Sequence, residues 1–300
     1  MKLSQLHLLL TYQCTYECDH CFVWGSPRHT STMTLGTIFN ILEQADELGT
    51  IEWIFYEGGE PFLYYPVLIK AIQETVARHF HAGIVTNGYW ATSLEDALLW
   101  LDPIARAIGG LSISCDSYHG SDESRERAQT AIAAARKLGI SVGDISIAEP
   151  DSTDSPAGIG QIAPGDSAVM YRGRAADTLV ERAAKTSWRQ FTECPHEELR
   201  EPDRVHVDPY GNLHLCQGIT IGNMFQRPLT DICREYDPEA HPIVGPLLEG
   251  GPVQLVRRYA TDHADQYADA CHLCYETRRQ LRKQFPAILT PDQMYGTTDD

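Results

Sequence analysis

The sequence has no apolar run near the ~20 residues that a bilayer-spanning helix needs, so no transmembrane segment is expected. Lys2 opens the chain, but the apolar run behind it is short and lacks a small-residue cleavage site, so no secretory signal is expected either. Positive charge is scarce: 24 Lys and Arg stand against 41 Asp and Glu, a formal charge of −17. Such a surface repels a nucleic-acid backbone, which removes DNA and RNA as expected partners. Internal repeats and low-complexity tracts are also missing. These absences point to a cytoplasmic protein. What is present suits a packed chain: 300 residues, 43% hydrophobic and 22% charged. That length allows one large barrel-type domain with a small appendage, or two ordinary domains.

Nine cysteines are many for a chain without a secretion signal, and in a reducing compartment they read as ligands before disulfides. Three of them fall within the eight residues Cys14-Thr15-Tyr16-Glu17-Cys18-Asp19-His20-Cys21. Thiolates at that spacing can converge on zinc or on an iron–sulfur cluster. Three ligands would leave one iron of a four-iron cluster open to a substrate, while a zinc knuckle would need a distant fourth ligand. The stretch directly follows Leu6–Thr11, which reads as a buried first strand. Alternation of short apolar strands and helical periods continues to about Ala148 and argues for a parallel sheet. Helices are expected at Thr34–Leu48 (stopped by Gly49), Tyr65–Phe80, Leu94–Ile108 and Ser121–Leu138; strands at Ile51–Tyr56, Ala82–Val85, Leu111–Cys115 and Ser141–Ala148. Gly58-Gly59-Glu60-Pro61 closes the second strand, and Thr86-Asn87-Gly88 the third. Asn-Gly is itself a strong turn dipeptide. Strand alternation puts Ser112, Ser114 and Asp116 on one face and Cys115 on the other, toward the helices. Tyr118 and His119 follow in the loop.

The three-cysteine spacing and the GGEP sequence one β/α unit later resemble the radical S-adenosylmethionine (SAM) superfamily. The resemblance implies an α/β fold: a partial (β/α)6 TIM-type barrel with a 4Fe–4S cluster on Cys14, Cys18 and Cys21. It implies SAM contacts at His20, at Gly58, Gly59, Glu60 and Pro61 (backbone and carboxylate to the amino group), at Asn87, and at Ser114 and Asp116 (ribose and carboxylate). Gly143…Glu149 loosely resembles an adenine-contacting motif. Tyr118 and His119 are the candidates for a catalytic role. SAM would chelate the open iron, and reductive cleavage would give a 5′-deoxyadenosyl radical that takes a hydrogen atom from the substrate.

Asp151–Asp166 is broken by Pro, Gly, Ser and Asp, so a fifth helix is expected to be short or missing. Ala168–Tyr171 reads as a sixth strand, followed by Arg172-Gly173-Arg174-Ala175. Arg204–Asp208, the turn Pro209–Asn212, and Leu213–Cys216 read as a hairpin, and Pro228–Ile232 leads into a short helix. Cys194, Cys216, Cys271 and Cys274 resemble the ligand set of a SPASM/Twitch appendage. Gln280 stands where a full SPASM set would continue, so a small α+β Twitch-like domain with one auxiliary 4Fe–4S cluster is implied. Structural zinc on the same four thiols is the alternative. The expected division is a barrel over 1–177, a cluster domain over 178–286, and a tail over 287–300 that is loosely packed or disordered at its Thr297–Asp300 end. Cys115 and Cys233 read as core. Arg278, Arg279, Arg282 and Lys283 form a basic helix, either a solvated face or a dock for an acidic electron donor such as flavodoxin or ferredoxin. The implied substrate is a small molecule or a peptide. With the first cluster cysteine at residue 14, no fused recognition domain is expected, so a peptide would be brought by a separate protein. A zinc-stabilised binding protein is the non-enzymatic alternative.

Overall fold

The computed structural model describes residues 1–150 and 166–297. Its first strands are β1 (Gln5–Thr11), β2 (Trp53–Gly58), β3 (His81–Thr86), β4 (Ile108–Ser114) and β5 (Val142–Ile147). Between them run α1 (Leu35–Leu48), α2 (Tyr65–Ala77), α3 (Leu94–Leu101) and α4 (Asp122–Lys137). The five strands pair in chain order and all in parallel, as helical crossovers require. α1 shows how local sequence sets an element. The Thr34 hydroxyl accepts from the Thr37 N–H at its start, Gly49 takes a left-handed conformation at its end, and Ile38, Ile41, Leu42 and Ala45 line its buried face. Burying each of the larger three stabilises the fold by ~1.5–3 kcal/mol.

Two elements differ from expectation. The third helix ends at Leu101 rather than Ile108. Asp102 still has helical angles (φ −53°, ψ −42°), but Pro103 offers no N–H to continue the ladder, and the chain turns until β4 begins. Ile104 and Ile108 are buried all the same, so the apolar spacing outlasts the helix. The sixth strand is β6 (Asp166–Ser167), paired parallel to β5, and not Ala168–Tyr171. Val169 and Tyr171 instead bury against Ala175 and Leu179, and the Tyr171 N–H donates to Asp269 Oδ2. That removes a donor the ladder would need. The stretch at 151–165, where the fifth helix is expected to be short or missing, lies outside the described residues.

The second half contains α5 (Ala175–Thr178), β7 (Thr186–Ser187), β8 (Arg204–Val207), β9 (Asn212–Cys216), β10 (Ile219–Asn223), α6 (Leu229–Glu235), α7 (Val244–Tyr259), β11 (Gln266–Tyr267) and α8 (Ala270–Leu281). β8, β9 and β10 form an antiparallel meander, and β8 lies parallel along the other edge of β1. The result is one open, mostly parallel nine-stranded sheet, ordered β10-β9-β8-β1-β2-β3-β4-β5-β6. β7 and β11 pair separately. The main core crosses both halves, joining Leu8, Leu10 and Ile38 to Val205, Leu213, Leu229 and Tyr295.

Ahead of its last residues the tail is packed down. Leu289, Met294 and Tyr295 are buried. The Gln293 amide donates to the Val23 and Trp24 carbonyls at 2.8 and 3.1 Å, and the Tyr295 hydroxyl donates to the Gly218 carbonyl. The apolar side chains and the unmet carbonyls of the cysteine loop together hold it down. Thr298–Asp300 lies outside the described residues. Among the described residues, no helix is long and apolar enough to cross a membrane.

Candidate active site and metal centres

Cys14, Cys18 and Cys21 sit in the loop after β1 and border one cavity of about 460 Å³, at the end of the sheet where the parallel strands finish. All are free thiols. The Tyr16 and Gly25 N–H groups donate to the Cys14 and Cys21 sulfurs at 3.5 and 3.2 Å, and Asn87 Nδ2 lies 3.6 Å from the Cys14 sulfur. Burial, with Glu60 adding to it, pushes the Cys14 thiol up to about 12. Burial and the two neighbouring sulfurs push Cys18 up as well. Cys14 and Cys18 resist ionisation only while no cation lies beside them; a metal centre reverses that balance. Sulfurs that converge and already accept backbone N–H bonds are a donor set suited to an iron–sulfur cluster.

The glycine pair lets β2 close on this loop. A Cβ at Gly59 would lie 2.1 Å from the Gln13 carbonyl oxygen, and one at Gly58, whose φ is +130°, 2.4 Å from that of Thr11. The Gly59 and Glu60 N–H groups donate to those two carbonyls. Gly58, Gly59, Thr86 and Asn87 border the cavity. Glu60 is set back from it and fully buried. Its carboxylate accepts from the Phe62 N–H, the Thr86 hydroxyl and the Asn87 N–H at 3.0, 2.8 and 2.8 Å. Burial lifts this carboxyl to about 7 against the pull of those three donors. Glu60 thus shapes the Thr86–Asn87 turn, and Pro61 starts a short 3-10 turn behind the wall. Asn87 passes the constraint on, with Nδ2 donating to the Thr15 hydroxyl at 3.1 Å.

On β4 the expected faces are found. Ser114 borders the cavity. The Cys115 sulfur is turned to α4, where Gln129 Nε2 donates to it at 3.1 Å. Asp116 holds two histidines: Oδ1 is 2.6 Å from His119 Nδ1, and Oδ2 is 3.4 Å from His20 Nε2. Burial raises this carboxyl, but the hydrogen bonds and charge of the two rings win and hold it below the usual carboxylate range. His20 and His119 border the cavity; Tyr118 stacks behind His20 at 4.7 Å and reaches the Ala148 carbonyl instead.

Residues 8–157, half of the chain, match the family model described as Radical SAM superfamily. The chain belongs to the radical SAM superfamily. It is 23% identical over 251 residues to the putative peptide biosynthesis protein YydG of Bacillus subtilis (strain 168), covering 83% of this chain and 72% of that one. A match to the S-adenosylmethionine-dependent nucleotide dehydratase of Selenomonas ruminantium is shorter: 28% over 115 residues, covering 38% and 40% of the two chains. Streptococcus suis SuiB, solved with precursor peptide SuiA, superposes with a TM-score of 0.58 at 11% identity, covering 90% of this chain and 76% of that one. The structure of anSMEcpe with AdoMet and the Cp18Cys peptide gives 0.51 at 10%, covering 95% and 97%. At such identities the solved structures establish the shared fold. Membership implies SAM and a 4Fe–4S cluster, which the three-cysteine loop fits by its donors.

This radical SAM chain gathers its remaining ligand candidates in a second place. Cys194, Cys216, Cys271 and Cys274 line one small pocket with Arg172 and Arg278. Cys216 ends β9, and Cys271 and Cys274 lie in the first turns of α8, whose N-terminus is capped by Asp269. Burial pushes the Cys194 thiol up to about 11, with its neighbouring sulfurs adding to the rise, and lifts Cys271 and Cys274 as well. Cys233 is buried apart, in α6. Four converging thiols beside two guanidiniums suit a four-thiolate metal centre, iron–sulfur or zinc.

Two features escape sequence reasoning. Arg172-Gly173-Arg174 ties the two cysteine sites together. Arg172 borders both cavities and donates to the Cys216 sulfur and to Glu197, both at 2.9 Å. Arg174 donates to the Cys18 and Gly25 carbonyls at 2.7 and 2.9 Å. The basic face expected on α8, solvated or docking an electron donor, is also not presented. Arg278 is buried and donates to the Gln217 carbonyl, Arg279 grips Asp177 with two bonds, and Arg282 pairs with Asp292. Those charges are spent inside the protein, and exposed Lys283 alone does not make a patch.

Proposed function

We propose that the chain is a SAM-cleaving enzyme that acts on a peptide. The observation that carries this reading is a single cavity bordered by the three cysteines, the Gly58–Gly59 backbone, Asn87 and Ser114, and running on to Arg172, His206 and Gln217. When bound, the reduced cluster and SAM supply a 5′-deoxyadenosyl radical able to take a hydrogen atom from the substrate. The chain's own residues position and enclose. Gly58 and Gly59 offer backbone to the amino group, Asn87 and Ser114 offer polar side chains, and the Asp116-held pair His20 and His119 closes one wall. The peptide reading is supported by YydG, the relative matched over most of this chain. Cys194, Cys216, Cys271 and Cys274 hold an auxiliary 4Fe–4S cluster in a Twitch-like segment from 178 to 286, and a flavodoxin or ferredoxin of the cytoplasm supplies electrons.

Anaerobic protein given dithionite and SAM should release 5′-deoxyadenosine, and Cys18→Ala should abolish the release. Cleavage that persists in that variant overturns the assignment of the first cluster. Peptides encoded beside the gene and labelled with deuterium should pass label to 5′-deoxyadenosine; transfer only from small metabolites would replace the peptide reading. Native protein should hold about eight irons, and Cys271→Ala/Cys274→Ala about four, on the ligand count of two four-iron clusters. One zinc with four irons would make the second site a structural zinc.

A further inference from the structure

β1, β2 and β8 bring three ionisable side chains together away from the cysteines. His7 on β1 and His206 on β8 are partners in the parallel register, and Glu57 reaches them from β2. Glu57 Oε1 lies 3.0 Å from His7 Nδ1 and 3.1 Å from His206 Nε2. All three residues border the main cavity, and their side chains are only 11–13% exposed. The neighbours of His7 along the strand are Leu6, Leu8, Leu9 and Leu10. Polar groups placed in such a strand cost stability unless something uses them. Their mutual hydrogen bonds recover part of that cost. His206 Nδ1 remains buried without a partner.

Two imidazole nitrogens and a carboxylate are the protein ligands of zinc sites that keep an open position; the same set also holds non-haem Fe(II). The three ligand atoms lie within 4.8 Å of one another. Tetrahedral zinc with bonds of ~2.0–2.2 Å wants its ligands roughly 3.3 Å apart, within reach of side-chain rotation. The outer shell suits as well: His7 Nε2 is 3.3 Å from Gln5 Oε1, which would fix the tautomer that presents Nδ1 as a ligand. Burial opposes the charge on Glu57, but the two histidines overcome it and hold the carboxyl well below its usual range. The cations nearest the cavity are themselves occupied, since Arg172 and Arg204 both face Glu197, at 2.9 and 3.8 Å.

We propose that His7 Nδ1, His206 Nε2 and the Glu57 carboxylate form a zinc site whose open coordination position faces the cavity and takes a carbonyl or carboxylate oxygen of the substrate. Such an ion anchors the substrate at a fixed place relative to the cysteine loop. It requires no redox change, because zinc has none.

Zinc K-edge absorption on wild-type protein tests this without any variant. Cluster-loaded protein is given one equivalent of zinc chloride and desalted. The expected spectrum has a first shell of nitrogen and oxygen at ~2.0–2.2 Å, with imidazole back-scattering and no sulfur. A sulfur-dominated shell, or no retained zinc, overturns the proposal. Glu57→Gln and His206→Ala should each lower retained zinc from about one per chain to near none, while Gln5→Leu should weaken retention by about tenfold as an outer-shell change. Retention unchanged in Glu57→Gln would also overturn it. Iron content read on the same samples reports separately on the clusters, so failure of either assignment leaves the other standing.

Discussion

Glu60 turns its carboxylate to the chain beside the cavity. It sits in the GGEP sequence, yet it is fully buried and spends its oxygens on Phe62, Thr86 and Asn87. Its carboxyl is raised from 4.5 to about 7 by burial, against the three donors. The folded state therefore holds a proton that the unfolded state has released between those two values. Stability contributed by Glu60 is full below about pH 4.5 and falls as pH climbs to about 7, by up to about 3 kcal/mol. Urea unfolding followed from pH 5 to 8 should show that decline. Glu60→Gln, though less stable itself, should flatten it; an unchanged slope would assign the pH dependence to other groups. The motif made Glu60 visible but not its bonds to Phe62, Thr86 and Asn87, since a motif records which residue is present and not which way its oxygens turn.

At the scale of elements, Arg172-Gly173-Arg174 is the piece most tightly constrained from both sides. Gly173 has φ of +62°, and a Cβ there would lie 2.4 Å from Phe22 Cα and 2.6 Å from the Cys21 carbonyl oxygen. Neither contact is a flexible side-chain end. Gly173→Ala should cost roughly 2–3 kcal/mol, from left-handed strain and overpacking together. Iron bound by the Cys14–Cys21 loop should fall with it, read as 5′-deoxyadenosine released per chain; full iron and full release would show that the loop does not depend on this clamp. Periodicity found α1, α4 and the hairpin, because each has clean spacing and a stop at Gly49, at Gly139 or in the Pro209–Asn212 turn. It overran α3, where buried Ile104 and Ile108 keep the rhythm past Pro103. It missed α7, whose Pro246, Gly250, Gly251 and Pro252 read as breakers. There the chain does break, at Gly251 (φ +64°), where Phe191–Glu193 backbone comes too near for a side chain. Tertiary contact selected these elements, which is why local pattern could not.

For the whole molecule, the expected division after Asp177 falls within α5, and β8 on the far side of it covers the edge of β1. A fragment of residues 1–177 would bare that edge and the apolar faces packed under β8 and α6. An open, flat, apolar edge invites pairing with other chains. Expressed alone, the fragment should aggregate, and size-exclusion chromatography should find no monomer; a stable monomeric peak would show that the barrel part folds unaided. The same continuity explains which part of the site was legible. Both cysteine sets are dense in sequence or carry a tight pair, and were read directly. His7, Glu57 and His206 come from strands far apart along the chain, and each looks like an isolated polar residue until the sheet aligns them. Their one local signal was charge in the middle of an apolar run.

The hold of Gln293 on Val23 and Trp24 also sets an order in time. A ribosome adds roughly 5–20 residues per second, so the loop that carries Cys14, Cys18 and Cys21 waits from about a quarter of a minute to a minute for the segment that fastens it. During that interval its thiols have left the ribosome without their final surroundings. Whatever installs the metal meets either an unfastened loop on a growing chain or a finished pocket on a released one, and the late-made turn marks the passage from the first state to the second.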